Sequence, residues 1–462
     1  MNRTRSRMAP TRFAALFAFS LAAGCDLDPP SDISDVSDSA PGGLLITHLT
    51  SGSEPASAHG AEVPIAWFRL SFELTRDESM APPVAARAYA YAGVALWEAV
   101  APGIPGGRSL AGQLNDLDPV PAPRHELHWP TVANEALAGI MHRFSPSEAS
   151  TRAIRKLEQA FRERFRSEIP GALFGHSVAH GQRVASAIWH WSRGDGYTEL
   201  NDCPYTAPTG PDLWSPTPPN FEAPIQPCWG QLRPFLLSGP EACAAGPHPS
   251  YSEDPGSEFY QSALEVYETV NHLTAEQRTI ALYWADLAGE SGTPAGHSLS
   301  ITAQVLEGLH ASLDLAAEAF ARVGIGESDA FISCWATKYH YNLLRPVTYI
   351  HKVIDPAWEP VLETPPFPAY TSGHSNDVGV SSAILTRMFG DRFAFIDHTN
   401  DDRGFAPRSF ASFFEAADES AFSRLYAGIH YHFDIERGLD QGRCVARAVN
   451  ALIFRRVDVA SR

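Results

Sequence analysis

Three short segments carry side chains that can grip and process an anion. "KYHYNLLRP" holds Lys338 and Arg345, "TSGHSNDVG" holds Ser372, Gly373 and His374, and "SRLYAGIHYHFD" holds Arg424, His430 and His432. Each is ordinary by itself: a loop histidine is usually solvated, and a spaced Lys–Arg pair usually marks a wet basic face. Together they make a receptor for a tetrahedral oxyanion. Three fixed cations and backbone donors suit the equatorial oxygens, one imidazole can bond the central atom, and the other can move protons.

Helices must position these groups. Lys338 and Arg345 are seven residues apart, which on one continuous helix brings the second to within about 20° of the first. The neighbours Trp335, Tyr339, Tyr341, Leu343 and Leu344 make that helix mostly apolar, so its cations need an anionic partner. Ser372, Gly373 and His374 precede "SNDVGVSSAILTRMF", whose Val380, Ile384, Leu385 and Met388 form an apolar stripe. The loop is therefore expected at a helix N-terminus, where free N–H groups and the dipole favour an anion, and Gly373 lets a ligand approach the backbone. Arg424 and His430 would diverge by about 120° on an ideal helix, so Arg424 is expected at a helix start. The alternate spacing of His430 and His432, with no third ligand nearby, argues against zinc.

The chain has 462 residues, 44% hydrophobic and 19% charged, with a formal net charge of −18. Such an acidic surface repels nucleic acid and anionic membrane, and makes the local basic cluster more informative. Arg3, Arg5, Arg7 and Arg12 precede "FAALFAFSLAAGC", the pattern of a signal peptide over residues 1–25. "LAAGC" resembles a bacterial lipobox, with Leu one place further from Cys25 than is commonest. Export follows, with a lipid anchor at Cys25 as the sole expected membrane attachment, or periplasmic or secreted release without it. Residues 26–60, with five aspartates, read as a disordered tether.

Apolar residues at three- and four-residue spacing then predict helices through residues 61–200. Twelve of the 37 prolines fall between Pro204 and Pro249, so 201–255 reads as a long loop, ordered by Trp214, Phe221, Trp229 and Phe235. Helical periodicity resumes over 256–458, ending in a stripe of Val445, Val449, Leu452 and Ile453. Among Cys203, Cys228 and Cys243 one disulfide is expected, its pairing open. Cys334 and Cys444 sit in helical patterns and read as buried free thiols. The fold class is all-α, a single large helical body.

K-x6-R-P at Lys338–Pro346, S-G-H at Ser372–His374 and S-R-x5-H at Ser423–His430 resemble, in order, the three-part signature shared by vanadium-dependent haloperoxidases and type-2 phosphatidic-acid phosphatases. Thr371 departs from the family's usual proline. "PPFPAYTSGHS", "YWADLAGESGTP" and the "WSPTPP…WG" loop are similar to segments of the soluble bacterial chloroperoxidase-like branch, which extends the likeness over roughly residues 60 to 455. The resemblance implies a helical bundle of the vanadium haloperoxidase and acid phosphatase type.

It also implies roles. Lys338, Arg345, Ser372, Gly373 and Arg424 would hold the oxygens of vanadate, or of phosphate in the same site. His430 would be the apical vanadium ligand, or the phosphoryl-accepting nucleophile of a phosphatase. His374 would be the acid–base group and Lys338 the polarising one. Asp286 resembles the acidic residue that steadies the site arginine, with Asp434 a competitor read as an ordinary surface carboxylate. Trp335 and Phe367 match aromatics on the halide side, the latter standing where bromoperoxidases have histidine. The expected reaction is halide oxidation by hydrogen peroxide. The alternatives are hydrolysis of a small phosphate ester through a phosphohistidine, and a non-catalytic oxyanion-binding lipoprotein. Oligomeric state is left open.

Overall fold

The computed structural model describes residues 53–145 and 147–456. The expected signal segment, Cys25 and the tether before residue 53 lie outside the described residues. Residues 53–60, assigned to that tether, pack on the body: Ala56 is buried, and the Glu54 carbonyl accepts from the Trp129 indole at 2.8 Å.

The helical periodicity resolves into α1 (Glu62–Asp77), α2 (Pro82–Val100), α3 (Trp129–Phe144), α4 (Glu148–Glu168), α5 (Gly171–Ser192) and the single turn α6 (Tyr197–Leu200). After the long loop come α7 (Glu258–Asn271), α8 (Ala275–Tyr283), α9 (Thr293–Gly308), α10 (Leu313–Tyr341), α11 (Pro346–Val353), α12 (Gly373–Phe389), α13 (Phe413–Tyr426) and α14 (His432–Asn450). One hairpin pairs β1 (Phe395–Asp397) with β2 (Arg408–Phe410), antiparallel, Phe395 opposite Phe410. Among the described residues no helix is long and apolar enough to cross a membrane.

Helix α10 is the axis, packed by α2, α9, α12 and α14. Its contact with α2 is close because small residues meet there: a Cβ at Gly93 would lie 2.6 Å from the Phe320 carbonyl. Helices α12 and α14 approach the same way. A Cβ at Gly442 would lie 2.1 Å from the Asn376 carbonyl oxygen, and one at Gly438 2.7 Å from that of Ser372. This close packing brings the N-terminus of α12 beside the first turn of α14, where the candidate residues lie.

The proline-rich stretch is ordered. Trp214, Trp229 and Phe235 are buried, whereas Phe221, expected among them, is 63% exposed. The buried Asp329 carboxylate on α10 accepts the N–H groups of Phe235, Leu236 and Leu237 at 2.6, 2.9 and 2.9 Å, satisfying three main-chain donors that a buried loop would leave orphaned. Cys203 pairs with Cys228. Cys444, expected as a free thiol, instead pairs with Cys243, because the last helix passes beside the loop. Cys334 remains free and buried. The terminal stripe is also shorter than expected: α14 stops at Asn450, and Ile453 beyond it is 45% exposed.

Candidate active site

The two cations of the first segment do not share one helix. Helix α10 ends at Tyr341, Asn342 takes a left-handed backbone (φ 49°), and Arg345 is the N-cap residue of α11. The break still returns both side chains to one region. Lys338 Nζ donates to the carbonyls of Pro368 and Ala369 at 2.9 Å each. Arg345 Nε donates to Phe367 O and Nη1 to Ile429 O, both at 2.8 Å. Arg424 lies in the last turn of α13, not at a helix start. Its Nε donates to Ser423 Oγ at 2.9 Å and Nη2 to Ala281 O at 3.2 Å.

Lys338, Arg345 and Arg424 are 0, 0 and 1% exposed. Among the described residues none of them forms an ion pair with a carboxylate; the partners just given are carbonyls and a hydroxyl. Burial pushes the lysine down to about 7 and each guanidinium to about 10, so both arginines remain charged at neutral pH. Two buried guanidinium groups and a buried lysine without paired carboxylates are costly to charge, and an oxyanion among them removes that cost.

The histidines complete the site. Arg345 Nη1 donates to His430 Nε2 at 3.1 Å. A guanidinium only donates, so Nε2 carries the lone pair and Nδ1 the hydrogen. Nδ1 lies 3.0 Å from Asp434 Oδ2. His374 follows Gly373 in the first turn of α12, with the backbone of Ala285 and Trp284 beside its ring. Its Nε2 is buried without a protein partner. Burial, then the nearby cations, hold both imidazoles well below their ordinary value, hence neutral. Ser372 caps α12, accepting from Ser375 N at 3.3 Å.

A cavity of about 350 Å³ opens onto this arrangement, lined by Gly373, His374, Arg424, His430, Trp335 and Phe367 among others. Lys338, Arg345 and Ser372 stand behind that wall. A Cβ on Gly373 would lie 3.6 Å from the Trp335 ring, filling part of the floor. Trp335 and Phe367 are in tilted contact at 5.0 Å, and Lys338 Nζ lies 5.1 Å from the Phe367 ring centre.

A family model described as the VCPO second helical-bundle domain matches residues 318–458. A bacterial vanadium-dependent iodoperoxidase of solved structure is 36% identical over 86% of this chain and 97% of its own, with a TM-score of 0.81. The chain belongs to the vanadium-dependent haloperoxidase family. Vanadium chloroperoxidase of Curvularia inaequalis is 25% identical over 225 residues, 36% of this chain; the match spans only 37% of that relative. A holo-type bacterial vanadium-dependent chloroperoxidase shares the fold at 15% identity, covering 80% of this chain and 92% of its own, with a TM-score of 0.64.

The candidate site also holds residues that sequence reading missed or misjudged. Asp434, read as a surface carboxylate, is fully buried against His430; an Asp four residues after a site histidine is the signal that could have found it. Asp286 is buried and lines the cavity, but His297 Nδ1 lies 3.0 Å from each of its oxygens. Towards Arg424 it acts only as a neighbouring charge. His297 and Asp397 carried no recognisable spacing. His432 turns outward to Glu265, 2.9 Å away, and no metal-binding cluster of three or more His, Cys, Asp or Glu occurs among the described residues. Thr371, in place of the family's proline, donates to Gln441 Oε1 at 2.6 Å.

Proposed function

We propose that the protein oxidises halide with hydrogen peroxide at bound vanadate, and that iodide is among its substrates. The carrying observation is the set of three buried basic side chains facing no paired carboxylate, beside one histidine with its Nε2 lone pair directed by tautomer and another with an unpartnered Nε2. The donor set fits vanadate: cations and the α12 N-terminus for its oxygens, a neutral imidazole for the metal. Lys338, Arg345, Ser372, Gly373 and Arg424 would hold the oxygens, and His430 Nε2 the vanadium. Bound vanadate supplies a Lewis-acidic centre that activates peroxide toward halide without changing its own oxidation state.

His374, neutral, lining the cavity and with Nε2 unpartnered, accepts a proton as peroxide arrives and returns one as water leaves. Lys338, held by two carbonyls, keeps a cationic donor behind the oxygens. Trp335 and Phe367 exclude water from the halide side, and the Trp335 indole N–H has no protein partner. Iodide is suggested by the 36% identical iodoperoxidase and is the halide most easily oxidised.

The test loads the purified protein with orthovanadate and measures peroxide-dependent iodination, bromination and chlorination of a dimedone-type acceptor, beside phosphate-ester hydrolysis. Iodination lost in His430→Ala supports the reading. Ester hydrolysis without any halogenation would overturn it. Export with a lipid anchor at Cys25 belongs to the same proposal, supported by two disulfides, which persist in oxidising compartments. If Cys25→Ser leaves the protein in the membrane fraction, the anchor is wrong.

A further inference from the structure

Asn342 stands in the chain between two of the site's basic residues, after Lys338 and before Arg345. Had α10 run on unbroken, Arg345 would lie about 10 Å further along the axis than Lys338, well apart for one small oxyanion. The two side chains instead meet over three consecutive residues. Lys338 Nζ donates to the carbonyls of Pro368 and Ala369, and Arg345 Nε to that of Phe367. The turn that brings them together is made by Asn342, left-handed at φ 49° and ψ 36°. Its N–H donates to Lys338 O at 2.8 Å and closes the helix. A β-carbon disfavours this backbone, and asparagine is among the few side chains that accept it.

The turn is held from both sides. Trp214 N donates to Asn342 O at 2.6 Å and Leu344 N to Asp212 O at 3.0 Å, so the proline-rich loop pairs with the chain at the break. Opposite, Ala369 N donates to Leu343 O at 3.0 Å, and this is the Ala369 whose carbonyl takes Lys338 Nζ. The asparagine amide adds two bonds: Oδ1 accepts from the Tyr205 hydroxyl, and Nδ2 donates to Tyr339 O. Asn342, Leu343 and Leu344 are all buried. Asn342 does not line the cavity, whereas Arg345 reaches His430 Nε2. We infer that Asn342 is a positioning residue for the oxyanion site proposed above, on which its role rests: its left-handed turn sets Arg345 beside Lys338 and His430.

The test uses the full chain without vanadate and inorganic phosphate as probe, titrated calorimetrically on variants that a melt shows to be folded. Asn342→Ala, which forces a β-carbon into the left-handed turn, is expected to weaken phosphate binding about tenfold or more, the scale of a lost outer-shell partner. Asn342→Gly keeps the turn and is expected to bind within about threefold of the parent, although it gives up the same amide bonds. The effect must also pass through Arg345. In an Arg345→Lys background, which retains the charge without the rigid fork, Asn342→Ala is expected to add less than about threefold, while in an Arg424→Lys background it keeps its full effect. Parent-like binding in Asn342→Ala, a glycine variant as weak as the alanine one, or an undiminished loss in the Arg345→Lys background overturns the inference. Should Asn342→Ala fail to fold, Asn342→Ser, whose hydroxyl supports such a turn more weakly, is expected to bind less tightly than Asn342→Gly, and equal binding of the two overturns the role. The full pattern with no halogenation by the parent would sink the peroxidase reading and leave the role of Asn342 standing. Halogenation by the parent with unchanged phosphate binding in the variants would do the reverse.

Discussion

His430 Nδ1 lies 3.0 Å from Asp434 Oδ2, while Arg345 donates to the opposite nitrogen. The two contacts together select one tautomer, with its lone pair on Nε2. Removing the carboxylate should cost oxyanion affinity without emptying the pocket of cations. Asp434→Asn is expected to bind vanadate about 10–100-fold more weakly, as outer-shell substitutions do, measured by reconstitution of the vanadate-free protein. Unchanged affinity would show that Arg345 alone orients the ring.

His374 should divide turnover from binding. Its Nε2 has no protein partner, and the cations remain when it is removed. His374→Ala is expected to lower turnover by about 10²–10⁴-fold, the range for a lost acid–base group, with a much smaller change in vanadate affinity. Arg424→Ala should lose affinity first. Equal loss of binding in the two variants would contradict this division.

The contact of α12 with α14 leaves no room for a methyl group. Gly442→Ala places its Cβ 2.1 Å from the Asn376 carbonyl oxygen, so the helices must separate. Overpacking of this kind costs about 1–3 kcal/mol. The separation also moves Ser372 and His374 away from His430, so activity should fall further than the population of folded protein. A melt and an assay on the same sample compare the two.

The cluster around His297 gives the stability a pH signature. Burial opposes the charge of this group, but Asp286 and Asp397 together raise it from 6.5 to about 10 on folding. A group that folding holds protonated contributes stability that is complete below about pH 6.5 and is lost as pH rises through about 10. The melting temperature of the parent should exceed that of His297→Gln most near pH 6, and the two should converge towards pH 10. A gap that widens with alkalinity would mean that the imidazole is neutral in the fold.

The Cys243–Cys444 bridge closes 201 residues of chain. Its loss should cost about 2–5 kcal/mol, seen as a lower denaturant midpoint in Cys444→Ser. Cys334, buried in the core, should be alkylated only after unfolding, which mass spectrometry of the native and unfolded protein will show.

Local order in this chain was legible because it is written in spacing. Alanine and leucine at helical intervals mark α2, α3 and α10, and Ser372 before an apolar stripe marks the cap of α12. The S-G-H and S-R-x5-H segments named the candidate side chains for an oxyanion by type and order alone. What spacing could not decide was where α10 stops. Asn342 breaks it, and Arg345 reaches the site from the next helix rather than along the same face.

Partnerships distant in sequence were set only by packing. Cys444 meets Cys243 because α14 passes the proline-rich loop, and Asp434 is buried because glycines let α14 lie against α12. His297 meets Asp286 and Asp397 because α9 packs between a tight loop and a hairpin. Sequence by itself determined which groups could hold an anion, since that depends on residue type and near neighbours. The tertiary structure alone decided which carboxylates pair with histidines and which cations stay unpaired, since that balance depends on distances between elements as much as 167 residues apart in the chain.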